Sequence, residues 1–133
     1  MINIYENGLR VGLIGESIDT VTDTQTAVTM GSGALDVYAT PAMIALMEAA
    51  AVSAVDPYLP QGMASVGIEI NVSHISATPI GEKVTAMAEI TRIDERRIRL
   101  EVRCWDDREL IGHGQHVRYI IDLDEFNTRI QRT

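Results

Sequence analysis

The segment from Thr40 to Asp56, TPAMIALMEAAAVSAVD, constrains everything around it. Thr40 can serve as a helix N-cap, with Pro41 at the first helical position, and Pro57 stops continuation. Such a helix is about 24 Å long. Almost every face is apolar or alanine, so it should be covered nearly all round. A membrane is one possible cover, because from Val37 to Val55 the only charge is Glu48. Pro41, an alanine-rich centre and the absence of a basic flank argue against that. A lone carboxylate near a bilayer centre costs about 2.5–3.5 kcal/mol. The segment predicts a helix buried in a soluble core.

The cover must come from the remaining chain, where the apolar period changes to two. After Pro60-Gln61-Gly62, one face takes Val66, Ile68, Ile70, Val72, His74 and Ser76; the other takes Ser65, Gly67, Glu69, Asn71 and Ser73. Thr78-Pro79-Ile80-Gly81 reads as a turn. Further strands are expected over Lys83–Asp94, Arg97–Trp105 and Glu109–Ile121, the last with a bulge or close backbone approach at Gly112 and Gly114. A looser, threonine-rich alternation from Ile18 to Val28 predicts one earlier strand. Met30 to Ala34 reads as a flexible loop, and Leu123 to Arg132 as a short terminal helix. Hairpin-like turns make the sheet antiparallel, and its apolar face has one large partner, the helix. The expected class is α+β. A curved antiparallel sheet of about five strands wrapped around one long central helix is the hotdog fold.

With 133 residues and no linker or repeat, the chain reads as one domain over 1–133. Eleven basic against nineteen acidic side chains give a net charge of −8, which argues against nucleic acid as a partner. A single cysteine, Cys104, excludes an internal disulfide and suits a reducing compartment. The start, Met1 to Glu6, lacks the pattern of a signal peptide. The expected location is the cytoplasm, with no membrane association.

Against this background two residues are anomalous. Glu48 puts a carboxylate in the middle of a helix built for burial, and unpaired buried charge is costly. His74 shares the parity of the apolar face that meets that helix. Each has a bland reading, as a solvent-reaching carboxylate or a satisfied core histidine. Together, a carboxylate and an imidazole in an apolar cleft compose a general acid–base site. Thr40, as well as capping, would set a hydroxyl beside the free N–H groups of a helix start, which suit an oxyanion. Eight residues of straight helix separate Thr40 from Glu48 by roughly 12 Å, so they meet only through a bent helix or across a two-fold interface.

Other candidates carry less. His113 and His116 should face opposite ways on a strand, as should Glu69 and His74, and no metal site is expected. Cys104 reads as an inert core thiol. Five of the ten arginines lie between Arg92 and Arg103, and a solvated outer face is the expected reading.

The residues Tyr38-Ala39-Thr40-Pro41, Leu46-Met47-Glu48-Ala49, Gly67, His74, Ala77-Thr78-Pro79, Gly81, Gly112, Gly114, His116 and Arg118 together resemble the fluoroacetyl-CoA thioesterase-like family of hotdog proteins. The resemblance spans about Val37 to Asn127. It implies a homodimeric acyl-CoA thioesterase, with a tetramer as the larger alternative. Thr40, Glu48 and His74 are implied as the catalytic set, and Gly67 and Arg118 as neighbours of the thioester or the CoA entrance. The expected reaction is hydrolysis of a short or small acyl-CoA. Glu48 would activate water or attack directly, with no metal or cofactor beyond the coenzyme A of the substrate. The alternatives are a hotdog enoyl-CoA hydratase or dehydratase, although no histidine-proline-glycine loop leads into the helix, and a non-catalytic acyl-CoA binding module.

Overall fold

The computed structural model describes residues 2–131. Met1, Arg132 and Thr133 lie outside the described residues, and with them the two ends of the expected 1–133 domain and the expected helix end at Arg132. Five strands form one sheet: β1 (Ile14–Thr20), β2 (Met63–His74), β3 (Lys83–Asp94), β4 (Arg97–Trp105) and β5 (Leu110–Asp122). A short helix α1 (Ala27–Met30), the long helix α2 (Thr40–Val55) and a terminal helix α3 (Leu123–Ile130) complete the chain. The strand order is β1-β3-β4-β5-β2, and every pairing is antiparallel. The sheet curls as a half-barrel around α2, the expected hotdog arrangement.

β3 and β4 follow the alternation rule closely. Val84, Ala86, Ala88 and Ile90 face Ile98, Leu100, Val102 and Cys104 on the inner layer, and all eight are fully buried. Two expectations are corrected here. The early strand spans Ile14–Thr20, not Ile18–Val28, and helical turns occupy Asp23–Gln25 and Ala27–Met30. Gly15 looks like a strand breaker, yet a Cβ there would collide with the backbone of Ala50 and Ala54. Its lack of a side chain lets β1 press against α2. The second correction concerns α2, which one chain does not cover on all sides. It packs chiefly on β1 and β3, and Pro41, Ala45, Ala49 and Val52 remain exposed along one stripe.

β2 breaks its own alternation. The β2–β5 register shifts between Gly67 and Glu69, leaving Ile68 as the extra residue of a bulge. Before it, Ser65 and Gly67 face inward; after it, Ile70, Val72 and His74 do. The sequence parity, which set Ser65 and Gly67 on the outer face, is therefore wrong for the first half of β2. The consequence falls on the site, because Ser65 is buried and Ile68 is 47% exposed.

Candidate active site

Thr40 opens α2 but does not cap it. Ala39 holds the N-cap position with extended backbone, and no side chain caps this end. The threonine hydroxyl is therefore available elsewhere. Thr40 Oγ1 and His74 Nδ1 hydrogen-bond each other at 2.8 Å. The imidazole sits edge-on to the buried Tyr38 ring, with centroids 6.5 Å apart. Its Nε2 is buried and has no hydrogen-bond partner in the described chain. Burial pushes the His74 pKa down, and the Ser76 backbone opposes this more weakly, so the ring is neutral at pH 7. Thr40 and His74 line an open cleft of about 270 Å³ with Val37, Tyr38, Ile75 and Ala77. A neutral imidazole with one free nitrogen, beside a hydroxyl and an uncapped helix start, can order a water or a carbonyl oxygen.

Glu48 lies in a different group. Its side chain is 43% exposed, half-buried and not enclosed as the helix pattern implied. Arg118 Nη1 donates to Glu48 Oε2 at 3.4 Å, and His116 Nε2 lies 3.9 Å from the same oxygen. Gly67 completes the group. A Cβ on Gly67 would stand 2.5 Å from Glu48 Oε2, 3.1 Å from His116 Cε1 and 3.3 Å from Arg118 Nη1. Only glycine leaves that carboxylate its place.

His116 is 1% exposed and faces inward with Arg118, while His113 faces out, as the odd spacing requires. Its Nδ1 donates to the Glu69 carbonyl at 2.7 Å, which leaves Nε2 to accept from Arg118 Nη1 at 3.1 Å. Burial is the main cause of its lowered pKa, opposed by the Glu69 carbonyl and assisted by Arg118. His116 is thus a neutral acceptor that helps aim the guanidinium. Sequence reasoning weighed it as a metal ligand and named it in the family resemblance, but gave it no role in the site. The usable signal was its shared parity with Arg118 on β5. Among the described residues, no group of three or more His, Cys, Asp or Glu side chains could hold a metal ion. Nor does any helix have the length and apolarity to cross a membrane. Burial lifts the Cys104 thiol to about 12, consistent with an inert core residue.

The structure therefore brings Thr40 to His74, and Glu48 to Gly67 and Arg118, but does not join the two groups within one chain. Gly112 and Gly114 mark close approaches: a Cβ on Gly112 would stand 2.5 Å from Met43 Sδ, and one on Gly114 2.6 Å from Val72 Cα.

Residues 21–124 match the family model described as fluoroacetyl-CoA-specific thioesterase (FlK). A fluoroacetyl-CoA thioesterase from Streptantibioticus cattleyicolor is 41% identical over 97 residues, which are 73% of this chain and 70% of that protein. A solved structure of the fluoroacetyl-CoA thioesterase FlK superposes with a TM-score of 0.86 at 36% identity, covering 92% of this chain and 96% of that one. A thioesterase superfamily member from Thermus thermophilus, 22% identical, superposes with a TM-score of 0.84 over 91% of this chain and 90% of its own, which bears on the fold alone.

Proposed function

The chain belongs to the fluoroacetyl-CoA-specific thioesterase family and is an acyl-CoA thioesterase, and on that premise we propose that its active site is built from two copies of the chain. Glu48, Gly67 and Arg118 come from one copy, and Thr40 with His74 from the other. The observation that carries this reading is the separation of the two groups. His74 lies seven positions after Gly67, about 20 Å along β2, and both residues face the same layer. β2 is an edge strand, last in the sheet order. An unpaired twelve-residue edge with an exposed isoleucine invites pairing with a copy of itself. An antiparallel β2–β2 pair centred between Ile70 and Asn71 sets Gly67 opposite the partner's His74. The exposed stripe Pro41, Ala45, Ala49 and Val52 on α2 would be covered in the same assembly.

In that site Glu48 takes a proton from water as its oxygen attacks the thioester carbonyl carbon. The uncapped start of α2 and the Thr40 hydroxyl receive the developing oxyanion. His74, neutral and hydrogen-bonded to Thr40, orients the water and shares the proton. The carbon–sulfur bond then breaks, the CoA thiolate recovers the proton, and free acid leaves. The cleft beside Tyr38 suits a short or small acyl group. Coenzyme A enters and leaves as part of the substrate, and the reaction needs no resident cofactor. A cytoplasmic location is the reading that its lone free cysteine supports.

Mixed dimers test the shared site. Glu48→Gln and His74→Ala homodimers should each be inactive, releasing little thiol from an acyl-CoA panel. In a mixed dimer one shared site carries both changes and the other carries none. Co-expression should restore about a quarter of wild-type activity, since about half of the dimers are mixed. If co-expression restores nothing although mixed dimers form, each site lies within one chain.

A further inference from the structure

Arg118 is a charged side chain only 5% exposed, and most of its contacts point away from Glu48. Its Nε donates to Ser65 Oγ at 2.8 Å, and its Nη2 donates to the Ser65 carbonyl at 2.9 Å. Ser65, 7% exposed, passes the connection on. Its hydroxyl donates to Asp56 Oδ1 at 2.5 Å, and its N–H donates to Asp56 Oδ2 at 3.4 Å. Only Nη1 is left for the catalytic side, where it reaches His116 Nε2 and Glu48 Oε2. The guanidinium thus stands between two carboxylates, one touched directly and one reached through a serine.

We propose that Asp56 is a positioning residue of the thioesterase reaction: through Ser65 it fixes the orientation of Arg118 and offsets its charge, leaving Glu48 held by one long contact and free to take a proton. This rests on the reading of Glu48 as the base. A guanidinium is a planar, rigid fork, so anchoring its Nε and Nη2 edge determines where Nη1 points. Charge works in the same direction. Burial disfavours the Arg118 cation, and Asp56 is the largest Coulombic influence opposing this, ahead of Glu48. Without Asp56, Glu48 would be the main carboxylate left to offset the Arg118 charge and would be drawn closer to it. Fold stability alone does not call for such a chain, because a buried ionic network is often replaceable by apolar packing.

Among the described residues of one chain the charged and titratable groups facing Glu48 are few, and the proposed assembly adds the partner's His74. Arg118 and neutral His116 face it from β5, while β2 offers Gly67 and β1 meets the helix through Gly15. β3 and β4 turn only apolar side chains and the Cys104 thiol toward the helix.

The test is the pH dependence of kcat/KM for the full chain. The substrate is whichever short acyl-CoA the wild type turns over fastest. Asp56→Asn keeps an acceptor for the Ser65 hydroxyl but removes the charge. Its acid limb should move to lower pH by about half a unit or more, with turnover reduced. Ser65→Ala cuts the link without changing charge. It should lower kcat about tenfold, the scale of one lost hydrogen bond to a charged group, and leave the acid limb in place. Ser65→Thr, which keeps the hydroxyl, should recover most of that loss. If Asp56→Asn folds and keeps both wild-type limb and turnover, the proposal is overturned. If Asp56→Asn does not fold, Ser65→Ala decides: wild-type kcat there overturns it equally. Glu48→Gln is the control. If it retains turnover, the reading of Glu48 fails. If it is inactive while the Asp56 and Ser65 variants match wild type, only the present proposal fails.

Discussion

Thr40 Oγ1 and His74 Nδ1 lie 2.8 Å apart although 34 residues separate them in the chain. The contact exists because Ala39, not Thr40, occupies the N-cap position of α2. A threonine one residue earlier would spend its hydroxyl on the helix's own N–H groups. Shifted into the first turn, it points at the end of β2, where the inner-face parity after the Ile68 bulge delivers His74. A cap in the sequence is thus a hydroxyl partner for an imidazole in the fold.

His74→Ala should lower kcat by about 10²–10⁴, the usual range for a positioned acid–base group. Half-buried beside an open cleft, the ring contributes little core packing, and the melting temperature should barely change. Wild-type turnover in the folded variant would return His74 to a purely structural role.

Gly67→Ala and Gly114→Ala should fail in different ways. At Gly67 the added methyl meets the mobile end of Glu48, which can swing toward solvent. The expected result is a folded protein with turnover down about 10²-fold, the loss typical of a displaced catalytic group. At Gly114 the methyl meets β2 backbone at Asn71 and Val72, which cannot move aside. That variant should lose about 1–3 kcal/mol of stability, the cost of overpacking. Matched melting and turnover losses in both would contradict the distinction.

Acidification should destabilise the fold through His74 and His116. Both have pKa values held below their ordinary 6.5 by burial, so the unfolded chain binds protons more readily. Their contribution to stability is complete above about 6.5 and is lost as pH falls through the depressed folded values. Melting temperatures measured from pH 7.5 to 5 should therefore decline. His116→Asn, which keeps a donor for the Glu69 carbonyl, should flatten the decline. An unchanged slope would show that His116 is not neutral in the fold.

Much of the architecture was legible because it rests on local periodicity. β3 and β4 match the expected strands at Lys83–Asp94 and Arg97–Trp105, since strict alternation between Val84 and Ile90 and between Ile98 and Cys104 admits one pairing of faces. Pro57 and the apolar run before it likewise bounded α2. The first strand was less legible. Gly15 looked like a breaker, and only the nearness of Ala50 and Ala54 explains it.

What the sequence determined by itself is the chemistry available: a buried-type helix with one carboxylate, a facing strand with one histidine, and an arginine and glycines able to approach them. Which of these meet was decided by tertiary structure alone. A bulge of one residue at Ile68 turns Ser65 and Gly67 inward and joins Asp56 to Arg118. No pattern of polar and apolar residues announces it, because the bulge is set by the β2–β5 register. The division of Thr40 and His74 from Glu48 is likewise a matter of distance along two elements, about 12 Å of helix and 20 Å of strand. Periodicity assigns a side chain to a face; only long-range packing assigns it a neighbour.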